Sequence, residues 1–235
     1  MPSYEHVELA PLMDRLRSSP HPALEVVPDL GSPRAVALLA GSFDPLTVGH
    51  EALAREAAPR AGAIVLVYSV RTLPKEGTVA PPLLGEEERL RVLERFCARR
   101  PGHAVGLASH GFLAEQVEAA TERFPAVELV LVMGSDKALQ LLDPKWYPDR
   151  DAVLRPLFER ARVLYAERSG QVGAVETALA RSANRGWRDR FELMSIPPEI
   201  ASISSRRVRE LVARGDDVRA LVPSESWELL RGAAG

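Results

Sequence analysis

The sequence predicts an α/β fold: a doubly wound parallel sheet, covered on both faces, with further helices at its C-terminal end. Three observations carry this. Short continuous apolar runs, such as Ala35 to Ala40 and Ala63 to Val70, suit strands buried on both faces. From Arg34 onward these runs alternate with segments of helical spacing, which implies crossovers and a parallel sheet. The chain has 235 residues, 46% of them hydrophobic, and a single α/β domain of that length is ordinary.

Residues 1–33 read as an N-terminal extension, and 34–235 as the domain proper. Leu9 to Leu16 could form a short amphipathic helix, after which Pro20, Pro22, Pro28, Gly31 and Pro33 are expected to break any regular element. The first strand, Ala35 to Ala40, runs into Gly41-Ser42-Phe43-Asp44-Pro45 and a helix over Val48 to Ala58. Ala63 to Val70 is the second strand, and 71–84 is a loop rich in Pro and Gly. A helix over Glu86 to Arg99, a weak strand over Ala104 to Ala108 and a helix over Phe112 to Phe124 follow. Val127 to Met133 is a clear strand ending at Gly134-Ser135-Asp136. Beyond it come a helix near 152–160, a strand near 162–166, a helix near 172–184 and a strand near 191–196. Two helices, near 204–214 and 223–231, complete the chain.

Composition excludes several classes. Lys plus Arg is 30 and Asp plus Glu is 32, and a net charge of −2 is a poor basis for nucleic-acid binding. A single cysteine, Cys97, allows no internal disulfide and no multi-cysteine zinc site. No apolar run approaches the roughly 20 residues of a membrane span. The start, MPSYEHVELA, lacks the basic and apolar stretches of a secretory signal, so the expected setting is reducing, soluble and cytoplasmic. Only three cations are lysines (Lys75, Lys137, Lys145), a bias read as composition without functional weight.

In a doubly wound sheet ligands bind beyond the carboxyl ends of the strands, so the turns there come first. In GSFDPLTVGH (41–50), Gly41 permits close approach of a ligand. Thr47 and His50, three apart, share the first turn of the following helix, whose free N–H groups favour phosphate. Alone, such a pair is usually a cap and an ordinary histidine. Near the other terminus, ISSRRVR (203–209) opens a helix that Ser204 or Ser205 can cap, and Arg206 and Arg209 can share one face. Arginine forks suit phosphate, although a solvated basic helix is the commoner meaning of such a run.

The first string resembles the (H/T)-x-G-H signature of the nucleotidyltransferase superfamily, in the form used by nicotinate and nicotinamide mononucleotide adenylyltransferases. Gly41, Ser42, Phe43, Asp44, Pro45, Gly49 and His50 match, while Thr47 stands where those enzymes carry a first histidine. Threonine there is usual in phosphopantetheine adenylyltransferases. Ile203, Ser204, Ser205, Val208 and Arg209 match the superfamily's second signature, with Arg206 in place of a threonine. The two strings lie about 150 residues apart with an α/β chain between them. The family's Gly-x-Asp and following tryptophan are matched by Gly134, Asp136 and Trp146, and its Arg-x-Gly position resembles Arg168.

The resemblance implies a Rossmann-like fold of the nucleotidyltransferase type and an enzyme that joins ATP to nicotinamide or nicotinate mononucleotide, releasing pyrophosphate. His50, Thr47 and Lys75 would act on the reacting phosphate. Gly41, Ser42, Phe43, Gly134, Asp136, Ser204, Ser205 and Arg209 would hold ATP, with His50. Ser42, Lys75, Trp146 and Arg168 would face the mononucleotide, Trp146 by stacking on its ring. Mg2+ is expected mainly on ATP oxygens and water, with no protein metal ligands. Two other readings stay open: a different acceptor (phosphopantetheine, or cytidylyl transfer to a phosphorylated alcohol), and a non-catalytic nucleotide sensor. An aminoacyl-tRNA synthetase is excluded by length and by the lack of a lysine-rich second motif. A homo-oligomer is compatible with everything above, and His103 and His110 read as ordinary histidines.

Overall fold

Strands that are apolar on both sides need helices above and below, and the chain supplies them in alternation. The computed structural model describes residues 9–71, 82–168 and 170–233. It begins α1 (Leu9–Arg17), β1 (Leu24–Val27), β2 (Ala35–Ala40), α2 (Val48–Ala61), β3 (Gly62–Ser69), α3 (Glu86–Ala98), β4 (His103–Ala108) and α4 (Leu113–Arg123). It continues β5 (Glu128–Gly134), α5 (Ser135–Leu142), α6 (Arg150–Arg160), β6 (Ala161–Ala166), α7 (Ala174–Ala180) and β7 (Phe191–Met194). The four-residue α8 (Pro198–Ala201), then α9 (Ser205–Ala213) and α10 (Ser224–Ala233), close it.

The seven strands pair in the order β1-β4-β3-β2-β5-β6-β7, all parallel except β1, which is antiparallel to β4. From β2 the chain builds outward through β3 to β4, then returns to place β5 on the other side of β2. The sheet therefore has its topological switch between β2 and β5, where Leu38 is in register with Leu131. Successive residues of β2 feed opposite cores. Ala35, Ala37 and Leu39 join the core of Leu53, Phe96 and Val208 on one face, while Val36 and Leu38 join the core of Val117, Leu141 and Phe158 on the other.

Three stretches depart from the sequence expectation. Residues 24–27 are a strand, despite the prolines around them. Leu24 and Val26 are buried against the core while Glu25 and Val27 are less so, and the flanking prolines bound the strand instead of interrupting it. Ser109 helps to hold its start: Ala23 N–H donates to Ser109 Oγ (2.8 Å) and Ser109 N–H to the Ala23 carbonyl (2.9 Å). Directly after β5 the chain forms α5, which buries Ala138, Leu141 and Leu142. The helix expected at 172–184 is shorter, Ala174–Ala180, and a 3-10 turn, Arg185–Arg190, follows where no element was expected.

Candidate active site

The first turn leaves β2 at the switch point. Gly41 N–H donates to the Val67 carbonyl (3.1 Å), which anchors the turn to β3. Phe43 holds a left-handed backbone, φ +45°, with its ring wholly buried. Such a conformation is costly for a non-glycine residue, and here packing enforces it. The Phe43 ring stands edge-on to His50, with centroids 5.3 Å apart. Asp44 is buried and accepts the N–H groups of Leu83 (3.0 Å) and Leu84 (2.9 Å), tying the turn to the segment before α3.

Thr47 is the N-cap of α2 and is fully buried. Its N–H donates to His50 Nδ1 (3.1 Å), and its hydroxyl lies 2.9 Å from the same nitrogen. A backbone N–H can only donate, so Nδ1 is an acceptor and the ring proton of neutral His50 sits on Nε2. Desolvation pushes the His50 pKa down to about 3, with Arg168 and Lys137 lowering it further and Asp136 opposing them. The imidazole is thus a neutral N–H donor at physiological pH, without a positive charge of its own.

The second signature packs directly on the first. A Cβ at Gly49 would lie 2.6 Å from the Ile203 carbonyl oxygen, so α2 and residues 200–203 approach at a distance only glycine permits. Ser204 caps α9, its hydroxyl accepting Arg207 N–H (3.2 Å). The Ser205 hydroxyl donates to the Pro45 carbonyl (2.9 Å), and Arg209 Nη1 to the Asp44 carbonyl (2.5 Å). Both serine hydroxyls therefore serve the scaffold here, and the free N–H groups of the first turn of α9 are what it offers to an anion. Arg206 points away: it is exposed and pairs with Glu210 (3.0 Å) on the outer face.

The end of β5 supplies the third wall. A Cβ at Gly134 would lie 2.6 Å from both Arg168 Nε and Asp136 Oδ1. Arg168 and Asp136 are themselves paired at 2.7 Å. The Lys137 ammonium donates to the carbonyl of Ala40, the last residue of β2 (2.6 Å). A narrow cleft results, lined by Thr47, His50, Gly134, Arg168, Ile196 and Ile203 among others. Trp146 is not in that lining. It sits half-buried in the 3-10 turn Pro144–Trp146, with the Lys145 ammonium 4.8 Å from its ring. Lys75 lies outside the described residues. A roomier hollow opens at the opposite, amino-terminal ends of β5 and β6, between Glu128, Arg160 and Arg162, and holds none of the site residues.

Sequence reasoning missed Lys137, Arg89 and the bracing role of Asp44. Arg89 Nη1 reaches the Ser42 carbonyl at 3.5 Å and its Nε donates to the Leu84 carbonyl (2.9 Å). For Lys137 a signal existed: a rare lysine just past a strand terminus at the switch point. The site's donors are N–H, guanidinium and ammonium groups, and its carboxylates, Asp44, Asp136 and Glu167, each already accept a hydrogen bond within the protein. Among the described residues no group of three or more His, Cys, Asp or Glu side chains is placed to hold a metal ion. The donor set fits a polyphosphate.

Two helix mouths and two glycine-dependent close approaches at a Rossmann-like switch point are the architecture of a nucleotidyltransferase, and the chain belongs to the cytidylyltransferase-like family, whose model matches residues 38–211. Among its curated relatives, a probable nicotinate-nucleotide adenylyltransferase of Halorhodospira halophila is 30% identical over 204 residues, 81% of this chain and 89% of that protein. A second protein of that description, from Chromohalobacter salexigens, is 30% identical over 81% of this chain and 90% of its own length. A putative nicotinamide mononucleotide adenylyltransferase of Schizosaccharomyces pombe is 22% identical over 94% of each chain.

Proposed function

We propose that this enzyme transfers the adenylyl group of ATP to a pyridine mononucleotide, nicotinate or nicotinamide. The observation that carries the reading is the contact between the two phosphate-type helix mouths: Gly49 against the Ile203 carbonyl, and Ser205 on the Pro45 carbonyl. The convergence is what a triphosphate spanning them requires. In the reaction a mononucleotide phosphate oxygen bonds to the α-phosphorus of ATP, the bond to the bridging oxygen breaks, and pyrophosphate leaves with that oxygen. No covalent intermediate is needed, so the protein contributes alignment and positive potential. The neutral Nε2–H of His50 donates to the α-phosphate, and Thr47 holds the ring in that tautomer. The β- and γ-phosphates lie at the N–H groups of Ser205 and its neighbours in α9, with Arg209 bracing the first turn. Gly134 admits the Arg168–Asp136 pair, which borders the nucleotide, while Trp146 and Lys75 belong to the acceptor side. Mg2+ enters as part of the MgATP substrate, held by phosphate oxygens and water.

A pyrophosphate-release assay with ATP and a panel of acceptors tests this. Release is expected with a pyridine mononucleotide and not with phosphopantetheine, nor from CTP with phosphorylated alcohols. His50→Ala should lower turnover by about a hundredfold or more, on the order of 3 kcal/mol. Release with phosphopantetheine alone would reassign the acceptor. ATP binding with no release for any acceptor would make the protein a sensor.

A further inference from the structure

The orientation of His50 hangs on a single peptide unit. The Thr47 N–H that donates to His50 Nδ1 belongs to the Leu46–Thr47 peptide, and the carbonyl of that same peptide accepts the Ser226 hydroxyl (2.9 Å). A trans peptide unit is planar, so its carbonyl and its N–H point in opposite directions and turn together. A bond on the carbonyl therefore fixes where the N–H points, and it strengthens the N–H as a donor. Ser226 lies in the first turn of α10, and both it and Leu46 are fully buried, where solvent cannot take over the bond. The preceding residue, Glu225, is nearly as buried. Its carboxylate accepts Arg100 Nη1 (3.0 Å), and Arg100 Nη2 donates to Glu51 (2.6 Å), the residue after His50. The first turn of α10 is thus tied to the chain both before and after His50.

We propose that Ser226 is a positioning residue for the transfer step: its hydroxyl holds the Leu46–Thr47 peptide in the orientation that keeps the Thr47 N–H on Nδ1 and leaves the Nε2–H of His50 to the substrate. A serine suits the task because a small rotatable hydroxyl supplies one donor in a packed interior. The inference rests on the adenylyl-transfer reading for the step that His50 serves. It extends the support of the site to a helix beyond residue 211, where the match to the family model ends.

Ser226→Ala removes the donor, while Leu230→Ala loosens the buried side of α10 without touching the turn. With the wild-type enzyme active on a pyridine mononucleotide, the Ser226 variant is expected to lose about fivefold or more in kcat, with KM for MgATP little changed. In the same variant, free of ligand, the Thr47 amide proton should move upfield and His50 Nδ1 toward the 15N shift of a ring nitrogen that accepts no bond. Leu230→Ala should leave both resonances and kcat near wild type. A kcat within fivefold of wild type, unchanged Thr47 and His50 resonances, or an equal loss from Leu230→Ala overturns the proposal, because α10 then serves stability alone. Should Ser226→Ala fail to fold, Ser226→Cys keeps nearly the same volume with a weaker donor and is judged by the two resonances. Should the wild-type enzyme turn over no pyridine mononucleotide, the acceptor assignment fails separately, and the two resonances alone decide for or against Ser226.

Discussion

His50 shows how local bonding decides a functional state. A histidine on a helix N-terminus beside phosphate invites the assumption of an imidazolium. The Thr47 N–H excludes a proton on Nδ1 while that bond persists, and burial with Arg168 and Lys137 nearby drives the pKa to about 3. The sign of the resulting pH dependence is definite. The unfolded chain protonates His50 near its ordinary 6.5, the folded chain only near 3, so the unfolded state binds more protons between these values. This group's contribution to stability is complete above about pH 6.5 and declines as pH falls toward 3. In the ligand-free enzyme the His50 ring resonances should not titrate between pH 5 and 8, and His50→Asn should flatten the acid side of the melting-temperature profile. A ring that titrates near 6.5 by NMR would contradict both the tautomer and the neutral-donor role.

At the scale of elements, the site is a contact between helix starts. α2 cannot rotate or lift at its first turn without separating Gly49 from the Ile203 carbonyl. Gly49→Ala inserts a methyl group 2.6 Å from a backbone oxygen, which no side-chain rotation relieves. The expected cost is about 1–3 kcal/mol of stability, with a raised KM for ATP as the two anion sites move apart. Calorimetry and steady-state kinetics check this together, and an alanine enzyme with unchanged melting temperature and KM would mean the segments are not so closely packed. α5 matters similarly, because it carries Asp136 and Lys137 from the end of β5 into the mouth.

For the whole molecule, the N-terminal segment belongs to the sheet. β1 covers the outer edge of β4, Leu9, Met13 and Leu16 enter the core, and Arg71, just past β3, donates to the carbonyls of Arg17 and Ser19 (both 2.6 Å). Arg17 in turn pairs with Glu86 at the start of α3. Deleting residues 1–33 should therefore uncover an apolar edge strand, lower the melting temperature and promote aggregation, which light scattering would reveal. A truncated enzyme as stable and monodisperse as the full chain would show that the extension is dispensable. Among the described residues no helix is long and apolar enough to cross a membrane.

Much of this was legible in contiguous residues. The apolar runs of the β2 and β3 strands, the tight first turn, and a serine cap on α9, at Ser204 or Ser205, are local features, because backbone geometry and capping depend on neighbours in the chain. The short strand β1 escaped because four residues among prolines carry too little periodicity, and pairing with β4 supplies what their pattern lacks. Neither the charge state of His50 nor the scaffold duties of Ser205 and Arg209 could be read there. Packing alone places the Lys137 ammonium on the Ala40 carbonyl, joining a helix and a strand distant along the chain. A chain's order states which chemical groups are available and which turns they favour. Which groups meet, and in what protonation state, depends on burial and on contacts that exist only once the sheet has closed around its switch point.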